Sequence, residues 1–73
     1  MIMATRRELP VDVKAEQVWR ERDSEQHWKV FTIDNGLATL QRCTPGGHVL
    51  NQRYMKRMLE DDMHAHMVFV GPR

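Results

Sequence analysis

An Asn-Gly pair between two strand-like segments restricts the fold of this chain more than any other feature. Trp28–Ile33 is rich in β-branched and aromatic residues, and Leu37–Cys43 follows directly after Asn35-Gly36. Asn and Gly both tolerate the positive φ that a type I′ turn requires. The pattern therefore predicts a β-hairpin with a two-residue turn.

This turn also predicts how the two strands pair. The register places Asp34 opposite Leu37, Ile33 opposite Ala38 and Phe31 opposite Leu40. Alternate side chains of a strand point to opposite faces of the sheet. One face of the hairpin is thus expected to be apolar, and it carries Phe31, Ile33, Ala38 and Leu40.

Three further strands and one helical turn are predicted around the hairpin. The strands are Gln17–Arg22, a short one at His48–Gln52 and a last one at Met67–Val70, which Gly71-Pro72 ends. Apolar residues recur at helical spacing within Arg53–Leu59, so we expect a helical turn there. The acidic run at residues 60–62 is expected to end it.

The length of 73 residues excludes a sandwich of two full sheets. Small antiparallel sheets of this size curl and close on themselves. The order of the elements predicts an all-β fold with one short helical turn, a five-stranded SH3-like barrel. Residues 1–10 are expected to form a flexible N-terminal tail, and residues 11–73 a single domain.

Composition limits the classes of function. Eleven Lys and Arg against ten Asp and Glu give a net charge of +1, which excludes a strongly basic nucleic-acid binder but leaves a local basic face open. Cys43 is the only cysteine, so no internal disulfide forms. Without a signal segment or a long apolar run, the chain is expected to be cytoplasmic and not to bind a membrane.

The first predicted strand carries a resemblance. Gln17–Asp23, with its Val-Trp-Arg-x-x-Asp pattern, resembles the opening of small bacterial and phage domains of unknown function. Later elements of those domains correspond to Trp28–Asp34, Gly36–Leu40, Arg53–Met55 and Met67–Val70. The chain departs from them at Gln26-His27-Trp28, where a glycine-containing turn is expected. The resemblance implies an SH3-like fold and no particular activity.

Cations and aromatic residues alternate along the predicted sheet. Small barrels bind nucleic acids when cations follow the phosphates and aromatic rings stack on bases. The acids are expected in loops, at Asp23, Glu25 and residues 60–62, and Trp19 or Trp28 is expected in the core. The predicted binding residues are Arg20, Arg22, Trp28, Lys29, Arg42, Arg53, Lys56 and Arg57.

The sequence thus favours a non-enzymatic accessory protein, bacterial or phage, that contacts nucleic acid as a monomer or weak homodimer. One alternative is a protein-interaction module, such as a phage-encoded modulator of a host protein, that uses an exposed edge like Met67–Val70. A small oligomeric enzyme resembling the plasmid-borne dihydrofolate reductases is the other alternative. The Val-Gln-Ile-Tyr strand of that family is absent, and Val49–Gln52 does not replace it.

Side chains suited to catalysis or metal binding are few. On a strand, His64 and His66 would point to the same side, as two metal ligands could. No Cys-x-x-Cys or His-x-x-x-His pattern accompanies them. Cys43 is expected to be a buried structural thiol. We therefore predict no metal site, no cofactor and no catalytic residue.

Overall fold

A computed structural model describes residues 11–72; the predicted tail, residues 1–10, and Arg73 lie outside the described residues. Five strands and one helix follow one another along the chain. They are β1 (Val18–Glu21), β2 (His27–Asp34), β3 (Leu37–Cys43), β4 (Met55–Leu59), α1 (Glu60–His66) and β5 (Met67–Gly71).

The strands form one antiparallel sheet in the order β4-β3-β2-β1-β5. The predicted all-β class with one short helical segment is confirmed. Closure is not seen, because no pairing joins β4 to β5 within residues 11–72. The helix α1 links these two strands in sequence and packs against both.

The predicted hairpin is confirmed at its turn and is wrong beyond it. Asn35 and Gly36 have φ values of 54° and 77°, and Ile33 pairs with Ala38 as expected. A β-bulge between Val30 and Thr32 then shifts the register, so Val30 faces Leu40 and Phe31 is the extra residue. Val30 is consequently buried, whereas Phe31 is 51% exposed.

The elements predicted between residues 48 and 62 are corrected. His48–Gln52 is not a strand; only an isolated bridge between Val49 and Cys43 forms there. Residues 55–59 form the edge strand β4, and the helix begins after them, at Glu60. The acidic run opens this helix instead of ending one, because carboxylates are favoured beside the positive end of the helix dipole.

The core lies on one face of the sheet, which we call the inner face. Both tryptophans, each 2% exposed, belong to this core, whereas the sequence predicts Trp19 or Trp28 there. Met63 of α1 is fully buried against the same cluster. The buried amide of Gln17 accepts a hydrogen bond from Trp19 Nε1 at 3.1 Å and donates one to the Asp12 carbonyl at 3.0 Å, so its polar atoms are satisfied.

Candidate nucleic-acid interface

One end of the inner face is polar, at the side away from the Asn35-Gly36 turn. Trp28 pairs with Arg42, and Lys56 pairs with Leu40, so these side chains share the inner face. The Lys56 ammonium lies 4.9 Å from the centre of the Trp28 ring, and the Arg42 guanidinium carbon lies 5.9 Å from it. Both distances are within the range of cation–π attraction.

The Glu21 carboxylate holds this end of the sheet together. It accepts hydrogen bonds from Trp28 Nε1 at 2.9 Å and Ser24 Oγ at 3.1 Å, and its oxygen lies 3.5 Å from Lys56 Nζ. Burial by itself would raise the pKa of Glu21, but these hydrogen bonds and the Lys56 charge together hold the pKa below its ordinary value. Glu21 is therefore charged at neutral pH and fixes Trp28 and Lys56 in place.

Tyr54 lies beside this group and is exposed. Its ring centre is 6.0 Å from that of Trp28, and the two ring planes are tilted by 43°. Trp28 is 2% exposed, whereas Tyr54 is 53% exposed. We call Glu21, Trp28, Arg42, Tyr54 and Lys56 the Trp28 cluster; within it, Tyr54 is the ring that a ligand can reach.

Two of the predicted binding residues, Arg20 and Arg22, are occupied by backbone carbonyls. Arg20 Nη1 donates to the carbonyls of Glu21 and Ser24, both at 3.0 Å. Arg22 Nε donates to the carbonyl of Ala65 at 3.3 Å, near the C-terminal end of α1. These arginines stabilise the β1–β2 loop and the last turn of the helix.

The other predicted cations lie in different places. Lys29, on the face opposite the core, forms an ion pair with Glu16 at 3.2 Å. Arg57 pairs with Thr39 and therefore points to that same outer face. Arg53 precedes Tyr54, is exposed, and its side chain makes no hydrogen bond or ion pair with the described residues. The structure thus brings together Trp28, Arg42 and Lys56 of the predicted set.

Sequence reasoning missed two members of the cluster. Tyr54 follows the predicted Arg53 directly in sequence but is not among the predicted binding residues. Glu21 lies in β1, within the predicted first strand, but it is not among the predicted site residues. The alternation of β1 carried the necessary signal, because Glu21 is two residues after the core residue Trp19 and so shares its face.

A cleft of about 330 Å³ adjoins the cluster, between β4 and the β1–β5 side of the sheet. The acids Glu21 and Asp23 line it together with Arg22 and Lys56. Since the two signs of charge are balanced, the cleft itself offers no strong attraction to an anion.

The candidate nucleophile, Cys43, and the candidate metal ligands, His64 and His66, lie in surroundings typical of residues that stabilise the fold. Cys43 is 3% exposed, and burial raises the pKa of its thiol, although Lys29 and Arg42 partly oppose this. His64 and His66 lie in α1 and not on a strand, so the predicted shared side is wrong. His64 Nε2 is 2.8 Å from the carbonyl oxygen of Val11. Among residues 11–72, no group of three or more His, Cys, Asp and Glu side chains could hold a metal ion.

Comparisons with known proteins give no relative of this chain. No family model matches it, and no curated protein and no solved structure is significantly similar. The resemblance of Gln17–Asp23 to small bacterial and phage domains stays a prediction. Over residues 11–72, no helix has the length and hydrophobicity needed to cross a membrane.

Proposed function

We propose that this chain is a non-enzymatic module that binds nucleic acid at the polar end of its inner face. The contact surface consists of Arg42, Arg53, Tyr54 and Lys56, and we call it the Tyr54 surface. One observation carries the proposal: the exposed Tyr54 ring lies against the buried Trp28 ring, which Lys56 and Arg42 also approach. Cations bind phosphates and exposed rings stack on bases, so the surface offers both types of contact.

The cations of this surface have capacity left for phosphate oxygens. The Arg53 side chain has no hydrogen-bond or ion-pair partner among the described residues. The Nε of Arg42 is buried and lacks a hydrogen-bond partner among residues 11–72. A buried donor without an acceptor is costly. Because this Nε is shielded from solvent, a phosphate would meet Arg42 through the other nitrogens of its half-buried side chain. Lys56 already shares its charge with Glu21 and is expected to contribute less.

An accessory role in a bacterium or phage is part of this proposal, and its support is the resemblance of the first strand. A protein-interaction module is the second candidate, and a different surface favours it. On the outer face Leu37 pairs with Leu59, and the two are 39% and 54% exposed. Exposed apolar side chains beside Arg57 have the composition of a protein interface.

Fluorescence anisotropy with labelled DNA and RNA at low salt tests the proposal. Wild-type protein is expected to bind, and the affinity should fall as salt rises, because bound phosphates release counterions. Arg53→Ala should weaken binding several-fold. Lys14→Ala is the matched control, since Lys14 is also exposed but lies before β1, away from the Tyr54 surface.

Arg57→Ala separates the two candidates. Arg57 lies in the same strand as Lys56 but on the outer face, so its loss should change nucleic-acid affinity by about twofold at most, through long-range charge alone. A larger loss with Arg57→Ala than with Arg53→Ala would place the contact on the outer face. No binding of any nucleic acid at low salt would reject the proposal.

A further inference from the structure

We infer that the nucleic acid recognised by the Tyr54 surface is single-stranded and that one unpaired base stacks on the Tyr54 ring. This inference rests on the proposed function and narrows its ligand. Two features support it: the neighbours of the Tyr54 ring hold the ring in place, and the stacked bases of a duplex would leave this ring without a contact.

The Tyr54 ring is exposed but supported from within. Trp28 lies 6.0 Å away beneath it and is fixed by its hydrogen bond to Glu21. Lys56 contacts the Trp28 ring, and its ammonium is held by Glu21 at 3.5 Å. A ring with ordered neighbours loses little freedom when a base stacks on it, which favours binding.

A duplex cannot use this ring. Its bases are already stacked on each other, and their edges in the major groove are read mainly by a helix or a two-stranded ribbon that enters the groove. The Tyr54 side chain stands next to the edge strand β4, beside the inner face, and belongs to neither kind of element. A duplex would therefore contact the cations alone, whereas a single strand would contact the cations and the ring.

The positions of the cations limit the extent of the site. Arg53 and Lys56 flank Tyr54 in sequence and lie within about 10 Å of chain length of each other. With Arg42, at most three cations are available for phosphates, since Lys56 shares its charge with Glu21. A single strand that neutralises up to three phosphates should show a slope no steeper than about −2 in a plot of log affinity against log salt. The affinity should accordingly be modest and salt-sensitive.

The test compares a labelled oligothymidylate of about 12 nucleotides with a hairpin duplex of similar charge, using four proteins. Wild type should prefer the single strand. Tyr54→Ala should weaken single-strand binding roughly 10-fold and leave duplex binding unchanged, because only the single strand stacks. Tyr54→Phe should retain the preference, since the ring remains. Arg53→Ala should weaken both ligands.

Each outcome has one meaning. Equal loss for both ligands with Tyr54→Ala, or a wild type that prefers the duplex, would overturn the single-strand inference and leave the proposed function standing. Absence of binding to either ligand would instead reject the proposed function. Circular dichroism of Tyr54→Ala and Tyr54→Phe confirms that both variants are folded; because Tyr54 is exposed and lies outside the strands, we expect no change.

Discussion

At the scale of single residues, Glu21 links the stability of the sheet to the proposed surface. Its carboxylate accepts hydrogen bonds from Trp28 and Ser24 and lies beside Lys56. The same charge lies close to where a phosphate would bind. Glu21 therefore stabilises the fold and at the same time weakens the attraction of the surface for anions.

Replacing Glu21 by Gln should change how stability depends on pH. The pKa of Glu21 is lower in the folded protein than its ordinary value, so its contribution is present above the unfolded pKa of about 4.3 and is lost as the pH falls through the folded pKa. Glu21→Gln should be less stable than wild type near pH 7, and the difference should shrink in acid. Urea unfolding at several pH values measures this.

Glu25→Gln is the control for this experiment. Glu25 is exposed in the β1–β2 loop, and its carboxylate has no partner among the described residues. Its loss should leave the pH dependence as in wild type. A pH profile for Glu21→Gln that equals the wild-type profile would show that the carboxylate does not hold the cluster together.

Which arginines are free could not be predicted from the sequence. Arg20, Arg22 and Arg53 look alike in a strand-and-turn pattern. Only the folded chain shows that the first two donate to carbonyls of the β1–β2 loop and of α1, whereas the Arg53 side chain has no acceptor among residues 11–72. These carbonyl acceptors lie in a turn and at a helix end distant in sequence. The type of a residue does not indicate whether such an acceptor will lie next to its side chain.

At the scale of elements, the bulge in β2 decides which residues form the core. The two-residue turn and the first pairs of the hairpin followed from Asn35-Gly36, because turn chemistry is local. The bulge is not local, because Val30 also pairs backwards: its N–H donates to the Gln17 carbonyl at 2.8 Å, and its carbonyl accepts from Glu16 at 2.9 Å. The extra residue, Phe31, lets β2 pair with β3 on one side and with residues 16–17 on the other.

Alanine substitutions at the bulge test this register. Val30→Ala should destabilise the protein by about 2 kcal/mol, because it removes buried volume from the core. Phe31→Ala should change stability by about 0.5 kcal/mol or less, because the ring is exposed. Urea unfolding gives both values. A larger loss of stability with Phe31→Ala than with Val30→Ala would instead support the register without a bulge, in which Phe31 faces Leu40.

The segment from β4 to α1 shows a second limit of sequence reasoning. The apolar residues of 55–59 fit a helical period better than an alternating pattern, but so short a run does not decide between helix and strand. Pairing with β3 settles the matter: Met55, Arg57 and Leu59 are exposed, and Lys56 and Met58 are half-buried. The helix therefore follows the segment for which it is predicted, at Glu60–His66, and it contains His64 and His66.

At the scale of the whole molecule, the sheet has an apolar inner face with one polar end, and the sequence predicts only part of this arrangement. Five strands and one helical segment were predicted, but closure into a barrel is not seen within residues 11–72. The core fills the inner face, and the polar Trp28 cluster covers one end of it. The sequence predicts a basic face spread over the sheet; the fold places Arg42 and Lys56 at the Trp28 ring, beside the exposed Tyr54 ring, and leaves Lys29 and Arg57 on the outer face.

The central claim is that this end of the inner face is where nucleic acid binds, and an NMR titration tests it most directly. A ¹⁵N-labelled sample at low salt receives increasing amounts of single-stranded oligonucleotide. We expect shifts at Arg42, at residues 53–56 and at the indole N–H of Trp28, with Lys29 and Arg57 on the outer face changed little. Shifts confined to the outer face, or a spectrum that does not change, would contradict the account.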